Sequence, residues 1–205
     1  MRPHPVLVGI TGATGAIYGI ELLRALRSLA RPAHLVISEM GLRTLAIETD
    51  VSADEVRALA DQTYSNRDLA AAVSGGSFRT AGMVIAPCSI KTLSGIANAF
   101  GHNLMIRAAD VTLKERRPLV LLVRETPLHV GHLRLMTQAA EMGAVIMPPV
   151  PAFYHRPVGI DDIVRHSVAR ALDHLGLDHD LVRRWSGPDA PSGAAGEEGV
   201  REGGG

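Results

Sequence analysis

The class this sequence predicts is α/β, a doubly wound parallel sheet with helices on both faces, built as a single domain. Five apolar runs, VLVGI (6–10), HLVIS (34–38), MVIAP (83–87), LVLLV (119–123) and AVIMP (144–148), alternate with segments of helical periodicity. The runs are apolar throughout rather than at every second residue, as strands covered on both faces must be. Each run also ends in residues able to hold a ligand: Thr11-Gly12-Ala13-Thr14, Ser38, Pro87-Cys88-Ser89, Arg124-Glu125 and Pro148-Pro149. Ligands of open parallel sheets bind beyond the carboxyl ends of the strands, so these tips read as one rim.

The first run enters a turn with glycines at 9, 12 and 15, a G-x-x-G-x-x-G spacing that differs from the G-x-G-x-x-G of dinucleotide sites. A single phosphate at the helix N-terminus fits better, with Thr11 or Thr14 as hydroxyl donor; the plain alternative is a tight turn without ligand. Glu39, after the second run, stands where an acid could hold a ribose, but Ser38 precedes it. The Tyr-x-x-x-Lys pair of short-chain dehydrogenases follows none of Tyr18, Tyr64 and Tyr154, which removes the chemistry of a hydride-transfer reading. After the third run, Ser89, Thr92 and Ser94 cluster where a helix should start; one hydroxyl suffices as a cap, and three favour ligand binding. Cys88 is either a nucleophile or a small buried apolar residue, and the absence of a neighbouring His favours the latter.

The fourth run delivers Arg124 and Glu125, readable as a surface ion pair or as an anion holder beside a proton carrier. His129, His132 and Glu125 have the look of a metal site, although a helix beginning near His129 would use the two imidazoles as a cap and a packing contact. From Ile160 to Leu175, Asp161 and Asp162 open a helix whose stripe of Ile163, Val164, Val168 and Leu172 should close the fold, with Arg165 and Arg170 off the stripe. The domain is expected over 1–185, followed by a Gly/Pro/acid-rich tail, 186–205, expected to be disordered.

Lys plus Arg and Asp plus Glu each number 21, so no global field recruits nucleic acid or an anionic membrane. One cysteine, no secretory signal and no apolar stretch near the roughly 20 residues of a membrane span point to a cytoplasmic protein.

Six segments taken together carry a resemblance. GITGATGAIYG, IET at 47–49, APCSIKTL, IRAADVTLKERRPLVLLVRETPLH, MGAVIMPPVPAFYHRP and RW at 184–185 occur in the order seen in the UbiX family of flavin prenyltransferases. The chain is most similar to the B subunits of non-oxidative hydroxyarylic acid decarboxylase systems, from about Val6 to Trp185. The resemblance implies a flavodoxin-like (Rossmann-like) homo-oligomer, usually a dodecamer, that joins the dimethylallyl group of dimethylallyl phosphate to reduced FMN without a metal. The prenylated FMN would serve a UbiD-type aromatic acid decarboxylase. It implies FMN contacts at Gly12, Ala13, Thr14, Ser38, Ser89, Ile90, Lys91, Thr92 and Arg124. It implies prenyl-phosphate contacts at Arg107, Lys114, Tyr154, Arg170 and Trp185, and catalytic roles for Glu125, Ser89 and Glu48.

Some relatives place an aromatic ring near NRDLAAAVSGGS to steady an allylic cation; this chain has only Leu69 there and Phe78 farther on. Readings of a different class are an FMN-dependent decarboxylase or oxidoreductase and a non-enzymatic flavin carrier.

Overall fold

The computed structural model describes residues 3–184 and Gly187. Trp185 and the expected tail, Gly187 apart, lie outside the described residues. The elements are β1 (Val6–Ile10), α1 (Ala16–Ser28), β2 (Ala33–Ile37), α2 (Glu39–Glu48), α3 (Ala53–Ala58), β3 (Gln62–Ser65), β4 (Gly82–Cys88), α4 (Ile90–Ala97), α5 (Leu104–Lys114), β5 (Leu119–Val123), α6 (Val130–Glu141), β6 (Val145–Ile146) and α7 (Ile160–His174).

The strands form one parallel sheet in the order β3-β2-β1-β4-β5-β6. Setting aside β3, the five strands predicted from apolar runs stand in the order 2-1-3-4-5, that of flavodoxin-like folds. β3 extends this by one edge strand. Its sequence, QTYS, is polar and exposed at both ends, so it carries none of the apolar signal that marks the others. β6 is shorter than AVIMP implied, only two half-buried residues at the opposite edge.

Successive side chains of a strand point to opposite faces, and both faces are covered. Val6, Val8 and Ile10 of β1 pack with Ile20, Leu23 and Leu26 of α1 and with Val164, Val168 and Leu172 of α7. Leu7 points the other way, into a second cluster with Met83, Ile85, Leu93, Met105 and Leu121. Each fully buried Leu or Ile contributes about 1.5–3 kcal/mol, so truncating Leu23 or Leu121 to Ala should cost about 2–5 kcal/mol. Of the predicted stripe Val164, Val168 and Leu172 are buried and Ile163 is half-buried, while Arg165 and Arg170 are exposed.

Candidate active site

The order of the sheet reverses between β1 and β4, and a crevice opens there at the carboxyl ends. One buried hydroxyl closes its floor. Thr11 Oγ1 donates to the Pro87 carbonyl at 2.7 Å and accepts from the Ser89 amide at 2.9 Å. The expectation that Thr11 supplies a ligand donor is therefore corrected: its hydroxyl is fully engaged in joining the two strand tips.

The N-terminus of α1 already holds an anion. Gly15, in the left-handed region at φ 100°, is the N-cap without a capping side chain. Its amide and that of Ala16 donate to Glu48 Oε2 at 2.8 and 3.0 Å, from the far end of α2. Burial raises the Glu48 carboxyl, but the Thr14 hydroxyl, the Ala16 and Gly15 amides and the Arg124 charge outweigh it and hold it below the usual carboxylate range. Thr14, Glu48 and Arg124 thus form one group beside the first turn.

The adjoining space is a cavity of about 640 Å³ in which three helix N-termini meet. Ser38 caps α2 by accepting from the Gly41 amide at 3.0 Å, Ser89 caps α4 by accepting from Thr92 at 3.4 Å, and Asn103 caps α5 by accepting from Ile106 at 3.0 Å. Each terminus carries about half a positive charge, and Lys91, Arg43 and Arg67 add three full ones. The opposing carboxylate is Glu39, 3.3 Å from Arg67 and 3.8 Å from Arg43. Gly12 lets the β1–α1 turn approach α2: a Cβ there would lie 2.4 Å from that of Met40.

Of the predicted flavin contacts, Gly12, Ser38, Ser89, Lys91 and Thr92 line this cavity. Ala13, Thr14 and Arg124 stand outside its lining, as does Ile90, which is half-buried against the core. Sequence reasoning missed Arg43, Asn66, Arg67 and Asn103. Asn66 and Arg67 follow the tip of the unread strand β3, and Asn66 Oδ1 receives the Met105 amide at 3.0 Å. The available signal was an Asn before a helical pattern, at 103.

The predicted prenyl-phosphate residues are not gathered in one chain. Arg107 sits in the second turn of α5, donating Nη1 to Asp110 at 2.8 Å and Nε to the Ser74 carbonyl at 3.2 Å. Lys114, at the other end of that helix, pairs with Glu115. Tyr154, in the segment after β6, shares a hydrogen bond of 2.9 Å with His166 of α7. Arg170, one turn farther on, donates to Asp173 at 2.7 Å. Leu175 lies against Gly82 at the start of β4, so the end of α7 lies toward the amino edge of the sheet, away from the rim.

Glu125 is exposed, its Oε1 accepting from the Thr126 amide at 3.1 Å rather than engaging Ser89. Cys88 is fully buried and its thiol is pushed up to about 12 by burial, which suits a packing residue and not a nucleophile. His129 caps α6 by accepting from Gly131, and its ring lies 3.6 Å from that of His132. Among the described residues no three His, Cys, Asp or Glu side chains converge as a metal set. Phe78 packs on His34 at 5.6 Å and Leu69 lies on the surface, so neither adds a ring to the rim. No described helix is long and apolar enough to cross a membrane.

Comparison with known proteins bears on this site. The Flavoprotein family matches residues 1–172. Flavin prenyltransferase UbiX of Escherichia coli K12 is 62% identical over 185 residues, 89% of this chain and 98% of that protein. The crystal structure of AnUbiX in complex with FMN and dimethylallyl pyrophosphate superposes with TM-score 0.89 at 50% identity, covering 91% of this chain and 99% of that one. A dodecameric FMN-dependent UbiX-like decarboxylase from Escherichia coli O157:H7 superposes with TM-score 0.87 at 50% identity, covering 89% and 100%. A relative of this identity, matched along nearly its whole length, fixes the kinship: the chain belongs to the UbiX flavin prenyltransferase family of flavoproteins.

Proposed function

We propose that this chain is a flavin prenyltransferase that joins the dimethylallyl group of dimethylallyl phosphate to N5 and C6 of reduced FMN. The single observation that carries this reading is the electropositive cavity at the switch point, whose three helix N-termini and Lys91 suit a phosphate monoester. Met40, Met105 and Ile106 supply apolar lining for a flat ring system. The Glu48 carboxylate on the α1 amides directs the flavin phosphate to the Ser38, Ser89 and Asn103 ends instead. Reduced flavin, when bound, contributes nucleophilic N5 and C6.

The chain's own residues would do the rest. Thr14, Glu48 and Arg124 form the polar wall beside the first turn, with Arg124 a fixed cation for whichever phosphoryl group approaches. Glu125 is the proton carrier for ring closure, its exposed carboxylate standing next to Arg124 at the strand tip. Ser89, its hydroxyl capping α4, would hold the turn at the tip of β4 in place. Tyr154, Arg170, Arg107 and Lys114 would bind the departing phosphate with charge-assisted hydrogen bonds that strengthen as the C–O bond breaks; Trp185 belongs to the same proposed set.

Because these four described residues do not converge within one chain, the site is proposed to be completed by neighbouring copies in a homo-oligomer. The dodecamer of the similar structure supports this. So does the apolar exposure of Val150, Phe153, Val158 and Ile160, all on the segment that carries Tyr154. The same reading places the enzyme in the cytoplasm, supplying prenylated FMN to a UbiD-type decarboxylase.

Anaerobic incubation with reduced FMN and dimethylallyl phosphate, followed by mass spectrometry of the flavin, tests the activity. Addition of one C5 unit is expected; unaltered FMN would leave a decarboxylase or carrier instead. Mixing Arg170→Ala and Glu125→Gln proteins, each impaired at limiting dimethylallyl phosphate when alone, should recover activity if the site is shared between copies.

A further inference from the structure

At the end of α7 one carboxylate gathers three donors. Asp173 Oδ2 accepts from Arg170 Nη1 at 2.7 Å, while Oδ1 accepts from Arg184 Nη1 at 2.9 Å and faces His179 Nε2 at 3.2 Å. The buried His179 also donates Nε2 to the Ala169 carbonyl at 3.0 Å, which binds the segment after α7 back onto that helix. Asp173 therefore joins the helix, the terminal segment and the guanidinium of Arg170.

We infer that Asp173 is the positioning residue of the donor-phosphate site, fixing the guanidinium of Arg170 in the orientation in which it receives the phosphate of the prenyl donor. The inference rests on the reading of Arg170 as a ligand of that phosphate. Half of the Arg170 side chain is exposed, and among the described residues it is tied to Asp173 through Nη1. Nε and Nη2 remain for a ligand, an edge suited to two phosphoryl oxygens. An unanchored arginine loses its rotamer freedom when a ligand arrives, whereas one already held by a carboxylate has lost it beforehand.

The carboxylate does not cancel the attraction, because two guanidiniums share it and the group stays cationic. Burial raises the Asp173 carboxyl, but Arg184, His179 and Arg170 outweigh this and hold it below the usual carboxylate range, so it remains an anion able to direct Arg170. His166, one turn before Arg170, carries Tyr154 on its Nε2 and stacks on His155 at 4.6 Å. Tyr154 and Arg170 are thus held on one face of α7 by two neighbours, His166 and Asp173.

The test is a double-mutant cycle on the full-length enzyme with reduced FMN and dimethylallyl phosphate. Asp173→Asn should raise KM for dimethylallyl phosphate about tenfold with kcat and FMN affinity little changed, as loss of preorganisation predicts. In an Arg170→Ala background the same change should add less than about twofold, because its partner is gone. Equal increments with and without Arg170 would overturn the inference, since a merely structural Asp173 acts independently of that side chain. If Arg170→Ala raises KM while Asp173→Asn does not, the positioning role fails and the assignment of Arg170 stands. If Arg170→Ala itself leaves KM unaltered, the assignment of Arg170 fails, and the inference with it. Should Asp173→Asn unfold, as thermal melting and loss of FMN binding would reveal, Asp173→Glu takes its place in the cycle under the same criteria.

Discussion

The cavity at the switch point and the proposed donor-phosphate residues differ in how they are built. The cavity is made by the fold: strand tips, caps and helix N-termini that any chain with this topology brings to one place. The donor set is made of long side chains on α5, α7 and the segment after β6, each tied to a local partner such as Asp110, Glu115 or Asp173. Backbone groups are ordered by folding itself, whereas side chains at the ends of separate helices need a further event to converge. On the proposed reading, topology prepares the nucleotide half of the reaction in each copy, and assembly would prepare the other half.

The sharpest way to break this contrast is to remove the proposed proton carrier while leaving both halves in place. Glu125→Gln should lower single-turnover prenyl transfer by about 10²–10⁴-fold with FMN affinity unchanged; undiminished turnover by stopped-flow absorbance would remove Glu125 from the mechanism. Next comes the cavity wall. Gly12→Val places a branched side chain where even a Cβ would meet Met40 at 2.4 Å, so FMN affinity measured by fluorescence quenching should fall at least about tenfold while donor KM changes little. Ser89→Ala removes the cap of α4 and should cost about 0.5–2 kcal/mol in denaturant unfolding, with a parallel loss of FMN affinity.

A pH effect is the smallest. The Glu48 carboxyl is lowered in the folded chain, so its contribution is present above the ordinary carboxylate value and is lost as pH falls through the lowered one. Thermal melting of the native chain should weaken on that acid limb more steeply than melting of Glu48→Gln, and parallel curves would deny Glu48 its anchoring role.

Much of the fold was legible because a strand buried on both faces cannot hide its composition. VLVGI and LVLLV read as strands and are strands, and the Ile160–Leu175 stripe is the helix α7. QTYS was illegible because an edge strand with solvent on its flank needs no apolar residue, and losing it hid Asn66 and Arg67. Thr11 shows a different limit: a hydroxyl after a strand reads as a ligand donor until the Pro87 carbonyl, 76 positions away, is known to take it. The Glu48 contact, 33 positions from Gly15, is equally silent in any local pattern. Contacts set by chain crossings belong to the tertiary level, and periodicity does not report them.

The two borders of the sheet have a consequence for how copies meet. β3 offers four residues and β6 only two, so neither border presents a row of open amides and carbonyls long enough to recruit a foreign strand. Growth by ribbon extension is thereby discouraged, and copies that meet must do so through side-chain surfaces, a mode of contact that can close on itself and stop.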